Sequence, residues 1–161
     1  MTSSTASDVI RAIAVFTGKI TGTVKFTETH DKGIIIDVDL RGLKKNARHG
    51  FHVHEYGDVS SGCDSACSHF NPYKKSHGSP DTKERHVGDL GNLFTDADGC
   101  ARYRFIDKMV KLRGTKTNII GRGLIIHADE DDCGMGNNPE SKITGNAGKR
   151  IACSVIGYRK I

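Results

Sequence analysis

No stretch of this chain approaches the roughly 20 consecutive apolar residues that a bilayer-crossing helix needs, so a helical membrane span is not expected. The opening MTSSTASDVIRAIAVF lacks a basic segment ahead of an apolar core and shows no evident cleavage site, which argues against a secretory signal. Like-charge runs are missing as well. Lysine and arginine number 24 against 19 aspartates and glutamates, a formal +5, yet they come singly or in pairs such as Lys44 and Lys45. That pattern reads as a solvated surface rather than a basic arm for nucleic acid. Tryptophan is absent, proline occurs three times, and no low-complexity tract or internal repeat is visible. The expectation is a soluble, cytoplasmic protein without a nucleic-acid or membrane partner. Residues 1–8 would form a flexible polar extension, and 9–161 one domain able to bury a core.

Histidine is where the chain is unusual. Six of its eight histidines join one aspartate in a spaced pattern: His52, His54 and His69, then His77, His86 and Asp89, with His127 alone much later. That is enough for two adjacent metal ions sharing one residue. Neutral imidazole nitrogens suit copper and zinc, and a carboxylate beside three imidazoles favours a closed tetrahedral zinc site. In GFHVHEYGD, Phe51 and Val53 alternate with His52 and His54, so a strand there buries the first pair and turns both imidazoles to the opposite face. His127 ends the apolar run Leu124, Ile125, Ile126, which reads as a strand feeding a loop.

Elsewhere the pattern is that of an antiparallel all-β domain. Ile20, Gly22, Val24, Phe26 and Ile34, Ile36, Val38, Leu40 show period-2 spacing, and Asp98-Gly99 between LFT and ARYRF gives a hairpin turn signal. No amphipathic helix of ordinary length is evident. The stretches from about Glu55 to Asp89 and from Ala128 to Arg150 are far longer than the usual connection of about 4–6 residues. Bound metal would anchor them. The five cysteines, in a chain without an expected secretory signal, read as reduced thiols, and Cys63, Cys67, His69 and His77 alone are conceivable as a zinc knuckle. That alternative leaves His52, His54, His86 and His127 unexplained.

The segments GFHVHEYGD, HFNPYKKSHGSPDTKERHVGDLGN and TGNAGKRIACSVIGY closely resemble the copper/zinc superoxide dismutase family, and the similarity runs from about Ala12 to Tyr158. The resemblance implies a Greek-key β-barrel or flattened sandwich of the immunoglobulin-like kind, with two long functional loops. It implies copper on His52, His54, His69 and His127, and zinc on His69, His77, His86 and Asp89, one of each metal per subunit, with the His69 imidazole bridging them. Asp131 would link His52 to His77, with Asp132 the fallback if the loop register slips by one. His49 would brace the copper site through a backbone hydrogen bond, while His30 faces water. Arg150 would stand beside copper and bind the small anion superoxide; Thr144 and Gly145 would line the opening, and Glu140, Lys142 and Lys149 would shape the field around it. Cys63 and Cys153 would form an intrasubunit disulfide, leaving Cys67, Cys100 and Cys133 as ordinary thiols.

The implied reaction is a two-step redox cycle: one superoxide leaves as dioxygen and the next, with two protons, as hydrogen peroxide. A homodimer would form through Gly57, Ile120, Gly121 and Tyr158, although Tyr158 stands where a small aliphatic residue is common, and Pro139 and Ile143 occupy positions that are often charged. A copper chaperone is an implied partner. Two other readings stay open, a non-enzymatic copper-chaperone domain of the same fold and a zinc-only structural module.

Overall fold

The structure, a computed structural model, describes residues 9–161; the proposed extension over 1–8 lies outside the described residues. Nine of the ten strands among the described residues form two antiparallel sheets. One has the order β10-β1-β2-β3-β7, from β1 (Arg11–Thr17), β2 (Thr21–Glu28), β3 (Ile34–Arg41), β7 (Ala101–Asp107) and β10 (Gly157–Tyr158). The other has the order β6-β4-β8-β9, from β4 (Arg48–His54), β6 (Asp89–Phe94), β8 (Gly123–His127) and β9 (Arg150–Val155). A short β5 (Ser60–Cys63) lies outside both sheets, and two single turns of 3₁₀ helix, Asp64–Ala66 and Pro139–Lys142, are the helical content of the described residues.

Period-2 patterning works here because each strand of the five-stranded sheet has one face in the core and one in water. Val24 and Phe26 of β2 and Ile34, Ile36, Val38 and Leu40 of β3 are all buried. Their neighbours form exposed cross-strand ion pairs, Arg104 with Asp37 and Arg102 with Asp39. From the second sheet, Phe51, Val53, Leu124 and Ile126 close the same core. The opposite face of that sheet carries His52, His54, Ile125 and His127, and it is buried too, because the two long loops fold back over it. Every residue of β4 after Arg48 is buried for this reason.

The turn at Asp98-Gly99 corrects one expectation. Its local chemistry is that of a tight turn: Asp96 N–H donates to the Cys100 carbonyl at 2.9 Å and Gly99 N–H to the Asp96 carbonyl at 3.1 Å. It does not make a hairpin, because β6 pairs with β4 and β7 with β3. The turn is a corner passing the chain from one sheet to the other. A further long connection, 108–122, escaped the sequence reading; Val110, Leu112 and Ile119 plug one end of the core without joining a strand ladder.

Each functional loop is tied down by particular bonds. Gly88 lies against the backbone of β4, its carbonyl accepting from Val53 N–H at 2.9 Å, while Phe70 N–H donates to the Val53 carbonyl at 2.9 Å. Arg85 is fully buried and donates to the carbonyls of Pro80, His86 and Val87 and to Asp107 Oδ2 at 2.8 Å, fixing the 55–88 loop to the end of β7. Cys63 and Cys153 are joined, with Cα atoms 5.5 Å apart and a sequence separation of 90. This excludes the Cys63-Cys67 zinc knuckle. Closing a loop of that size stabilises by about 4–5 kcal/mol on the chain-entropy account. Reduction, or Cys153→Ser, is therefore expected to lower the unfolding free energy of the metal-free protein by roughly that amount in urea titrations; a loss under about 1 kcal/mol would refute the estimate.

Candidate metal centre

Two groups of four potential ligands lie side by side. Their donor atoms converge to within 4.8 Å in each group: His52, His54, His69 and His127 in one, His69, His77, His86 and Asp89 in the other. All seven residues are buried. Strands β4 and β8 supply His52, His54 and His127, the start of β6 supplies Asp89, and the 55–88 loop supplies the rest. The β4–β6 ladder slips register between Gly50 and His52, and the β8–β9 ladder between Ile126 and His127, so both bulges sit where an imidazole has to be re-aimed.

Which nitrogen of each ring faces the centre is set by what the other nitrogen holds. His54 Nδ1 lies 2.7 Å from the Cys67 carbonyl and His127 Nδ1 3.0 Å from that of Gly148, leaving the two Nε2 atoms facing each other at 3.4 Å. His52 Nε2 is 2.6 Å from Asp131 Oδ2 and His77 Nε2 2.7 Å from Asp131 Oδ1, so this one carboxylate spans the two groups. Asp89 divides its oxygens. Oδ2 accepts the backbone N–H groups of His86 and Gly78, while Oδ1 lies 2.9, 3.0 and 3.2 Å from the Nδ1 atoms of His69, His77 and His86. His69 turns Nδ1 to this second group and leaves Nε2 to the first.

The fit to metal can be judged from what these atoms lack. Buried His52 Nδ1 and His69 Nε2 have no hydrogen-bond partner, and each belongs to a ring of the first group. Buried polar atoms without partners are costly. Around Asp89 the donor separations of 2.9–3.2 Å approach the edge of about 3.3 Å that four ligands make at ordinary zinc distances. Three nitrogens with one carboxylate oxygen suit zinc, and four nitrogens suit copper. His49 Nε2 is also unpartnered but belongs to neither group; His49 Nδ1 lies 2.9 Å from the His127 carbonyl.

Electrostatics divide the groups. Burial, then the charge of neighbouring rings, pushes His52 down to about 3 and His127 down to about 4, and lowers His54 and His69 as well. These rings stay neutral at pH 7, the form that ligates metal. Burial also opposes the charged forms of Asp89, Asp131 and His77, but the hydrogen bonds and charges among them outweigh it. Both carboxyls fall well below the usual range and His77 rises to about 9. Between about pH 4 and 6.5 the unfolded chain binds protons that folded His52 and His127 exclude, so metal-free stability falls as pH drops through that window. His77 acts oppositely: its contribution is full below 6.5 and is lost as pH rises through about 9. Urea midpoints of the metal-free protein are expected to fall as pH is lowered from 6.5 to 4.5. A flat profile there would contradict this account.

A pocket of about 420 Å³ opens onto His54, His69 and His127, rimmed by Glu140, Ile143, Thr144, Asn146 and Arg150. Arg150, half-buried at the start of β9, is held by its Nη1 donating to the Cys63 carbonyl at 2.9 Å. Two residues expected at this opening are elsewhere. Lys142 is exposed and off the pocket wall, and Gly145 is buried. At φ +70° Gly145 lies so close that a Cβ would stand 2.0 Å from Asp131 Oδ1 and 2.5 Å from His77 Nε2. The closeness of loop and centre, rather than the opening, demands glycine there. Asp132 faces away from the histidines and organises the 128–149 loop, accepting from Ser141 Oγ and Asn146 Nδ2, each at 2.7 Å. The sequence reading missed Asn92, whose side chain accepts from Asp131 N–H at 2.7 Å and donates to the Asp131 carbonyl at 2.9 Å.

Comparison with known proteins agrees with this arrangement. The copper/zinc superoxide dismutase family profile matches residues 20–156. The chain is 60% identical over 151 residues to a Cu-Zn superoxide dismutase of Paramecium bursaria Chlorella virus 1, spanning 94% of this chain and 80% of that one. It is 49% identical to the Cu-Zn superoxide dismutase of Yarrowia lipolytica, over 92% of this chain and 98% of that one. The crystal structure of the clock protein EA4 superposes with a TM-score of 0.90 at 43% identity, covering 99% of this chain and all of that one. The chain belongs to the copper/zinc superoxide dismutase family.

Proposed function

We propose that residues 9–161 form a single catalytic domain that dismutates superoxide, 2 O₂⁻ + 2 H⁺ giving O₂ and H₂O₂, with His52, His54, His69 and His127 holding copper and His69, His77, His86 and Asp89 holding zinc. The observation that carries this reading is His69, one buried ring that presents Nδ1 to one ligand group and an unpartnered Nε2 to the other. When bound, copper supplies one-electron cycling between its +2 and +1 states, and zinc supplies a fixed charge with no redox step of its own. The chain's own residues do the remainder. Arg150 gives the substrate anion a permanent positive charge and a fork of donors. Thr144, Ile143 and Glu140 rim the approach. His69 Nε2 holds a proton between the half-reactions and passes it to the departing peroxide. Asp131 and His49 keep the ligand rings in the orientation that exposes the correct nitrogen.

Metal content measured together with superoxide consumption tests the assignment. One copper and one zinc per chain with turnover support it; a metallated chain without turnover would favour the chaperone-domain reading, and zinc alone the structural module. Turnover is further expected to fall several-fold between low and physiological ionic strength, because Arg150, Lys149 and Lys142 act across distances comparable to a Debye length of about 10 Å. A flat salt profile would remove those lysines from the reading.

The same reading extends to a cytoplasmic homodimer, loaded with copper by a chaperone. Among the described residues no helix is long and apolar enough to cross a membrane. Support for the dimer comes from exposed apolar surface on the last two strands, where Tyr158 is 71% and Val155 39% exposed. Sedimentation of the Tyr158→Glu variant as a monomer is the expected result.

A further inference from the structure

The two sheets meet along two sides, each bridged by a side-chain-to-backbone hydrogen bond, and the first of these joins β9 to β1. There, Ser154 Oγ of β9 donates to the Val15 carbonyl of β1 at 2.7 Å. On the other side β6 and β7 are consecutive strands, yet each is the edge of its own sheet and no backbone ladder joins them. Tyr103 Oη donating to the Asn92 carbonyl at 3.4 Å spans this seam. Residues from the 79–85 segment of the 55–88 loop overhang it. The result is a cleft of about 890 Å³, within the range of roughly 300–1,000 Å³ that accommodates small organic ligands.

Its floor is apolar and largely aromatic. Phe94, Tyr103 and Phe105 form a row with successive ring centroids 6.3 and 6.1 Å apart, flanked by Leu90 and Ile106. Phe94 is 53% and Ile106 59% exposed, so this apolar surface faces solvent instead of filling the core. The rim is cationic. Arg48 lies 5.1 Å above the Phe94 ring and is already paired with Glu130, whereas Lys83 and Lys108 also line the cleft, where Asp81 is the exposed carboxylate. Asp107, also on the edge, is neutralised by Arg85.

We propose that this open seam binds a small aromatic anion, its ring laid along the aromatic row and its acid group between Lys83 and Lys108. Aromatic faces offset against one another and a charge-assisted contact at one end are the ordinary means of holding such a ligand. The site is separate from the metal opening, sharing no lining residue with it. Its back wall does reach the centre's supports, because Asn92 and Cys133 line the cleft and both bond to Asp131. An occupant therefore steadies the residue that spans the two ligand groups and slows zinc release.

The test is titration of the copper- and zinc-loaded full chain with 2-naphthoate, followed by calorimetry and backbone amide shifts, with zinc release to a chelator timed in parallel. Saturable one-site binding is expected, with Kd on the order of 1 mM or tighter for a ligand of this size. Shifts should concentrate on β6, β7 and residues 79–85, and zinc release should slow. The neutral analogue 2-naphthalenemethanol, and the Lys83→Glu/Lys108→Glu double variant, should each bind about five- to tenfold more weakly. Ile106→Asp, at an exposed position that leaves turnover unchanged, should abolish binding. Non-saturating titration, shifts centred on Arg150 and Thr144, or equal affinity across these variants and analogues would overturn the proposal.

Discussion

His127→Ala is expected to abolish superoxide turnover while leaving zinc bound. His127 closes β8, its Nδ1 tethered to the Gly148 carbonyl and its Nε2 3.4 Å from His54 Nε2, and it belongs to the first ligand group alone. Removing it opens one side of the site for the redox metal, and the loss should exceed the roughly 10–100-fold effect usual for residues that merely support a ligand. The second group keeps all four of its members, and the loop that supplies three of them stays fastened by Arg85 and Gly88. Metal analysis of the purified variant should find zinc near one per chain and copper depleted, with activity at background. Retained turnover would remove His127 from the copper set, and parallel loss of zinc would mean the two groups are not separable.

Asp131→Ala should be nearly as damaging, but to both metals together. The carboxylate holds His52 Nε2 at 2.6 Å and His77 Nε2 at 2.7 Å, one ring from each group. Its loss leaves two buried ring nitrogens without partners and both rings free to turn, and affinity for each metal is expected to fall by about 10–100-fold. Asp132→Ala is the matched control. Asp132 bonds to Ser141 and Asn146 inside its own loop and touches no ligand. It should loosen the substrate opening, visible as faster amide exchange over 134–146, without changing copper or zinc content. Equal metal loss in the two variants would argue that loop integrity, rather than the paired hydrogen bonds, retains the metals.

The contrast between those neighbours shows where sequence stops being informative. Strand periodicity was legible at Ile34, Ile36, Val38 and Leu40 because one face meets core and the other water, and the same logic placed Phe51 and Val53 inward and His52 and His54 opposite. The clustering of these six histidines and Asp89 was legible because so many imidazoles at such spacings suit metal, and the long motifs gave the chain a family. The Asp98-Gly99 turn misled because turn chemistry is local, whereas the choice of sheet for β7 depends on pairing with β3, some 60 residues earlier. Arg85 and Asn92 were passed over because a polar residue in or near a loop ordinarily meets water. Their partners, Asp107 and Asp131, are 22 and 39 residues away, and nothing in a single chain links them. Gly145 was placed at the wrong surface for a similar reason: its neighbours Asp131 and His77 meet it only once both loops have closed over β4 and β8.

Arg150 rests on the carbonyl of Cys63, and Cys63 is one half of the cross-link to Cys153. The aim of the guanidinium is thus fixed by a bond that a sufficiently reducing thiol pool can open. Once that clip is undone, residues 60–63 lose their tether to β9 and the arginine loses the perch that points it inward. On the role proposed for Arg150, oxidation state would then govern how well the mouth captures its anion even while both metals are still seated, giving the surrounding redox poise a hold on catalysis that metal analysis alone does not detect.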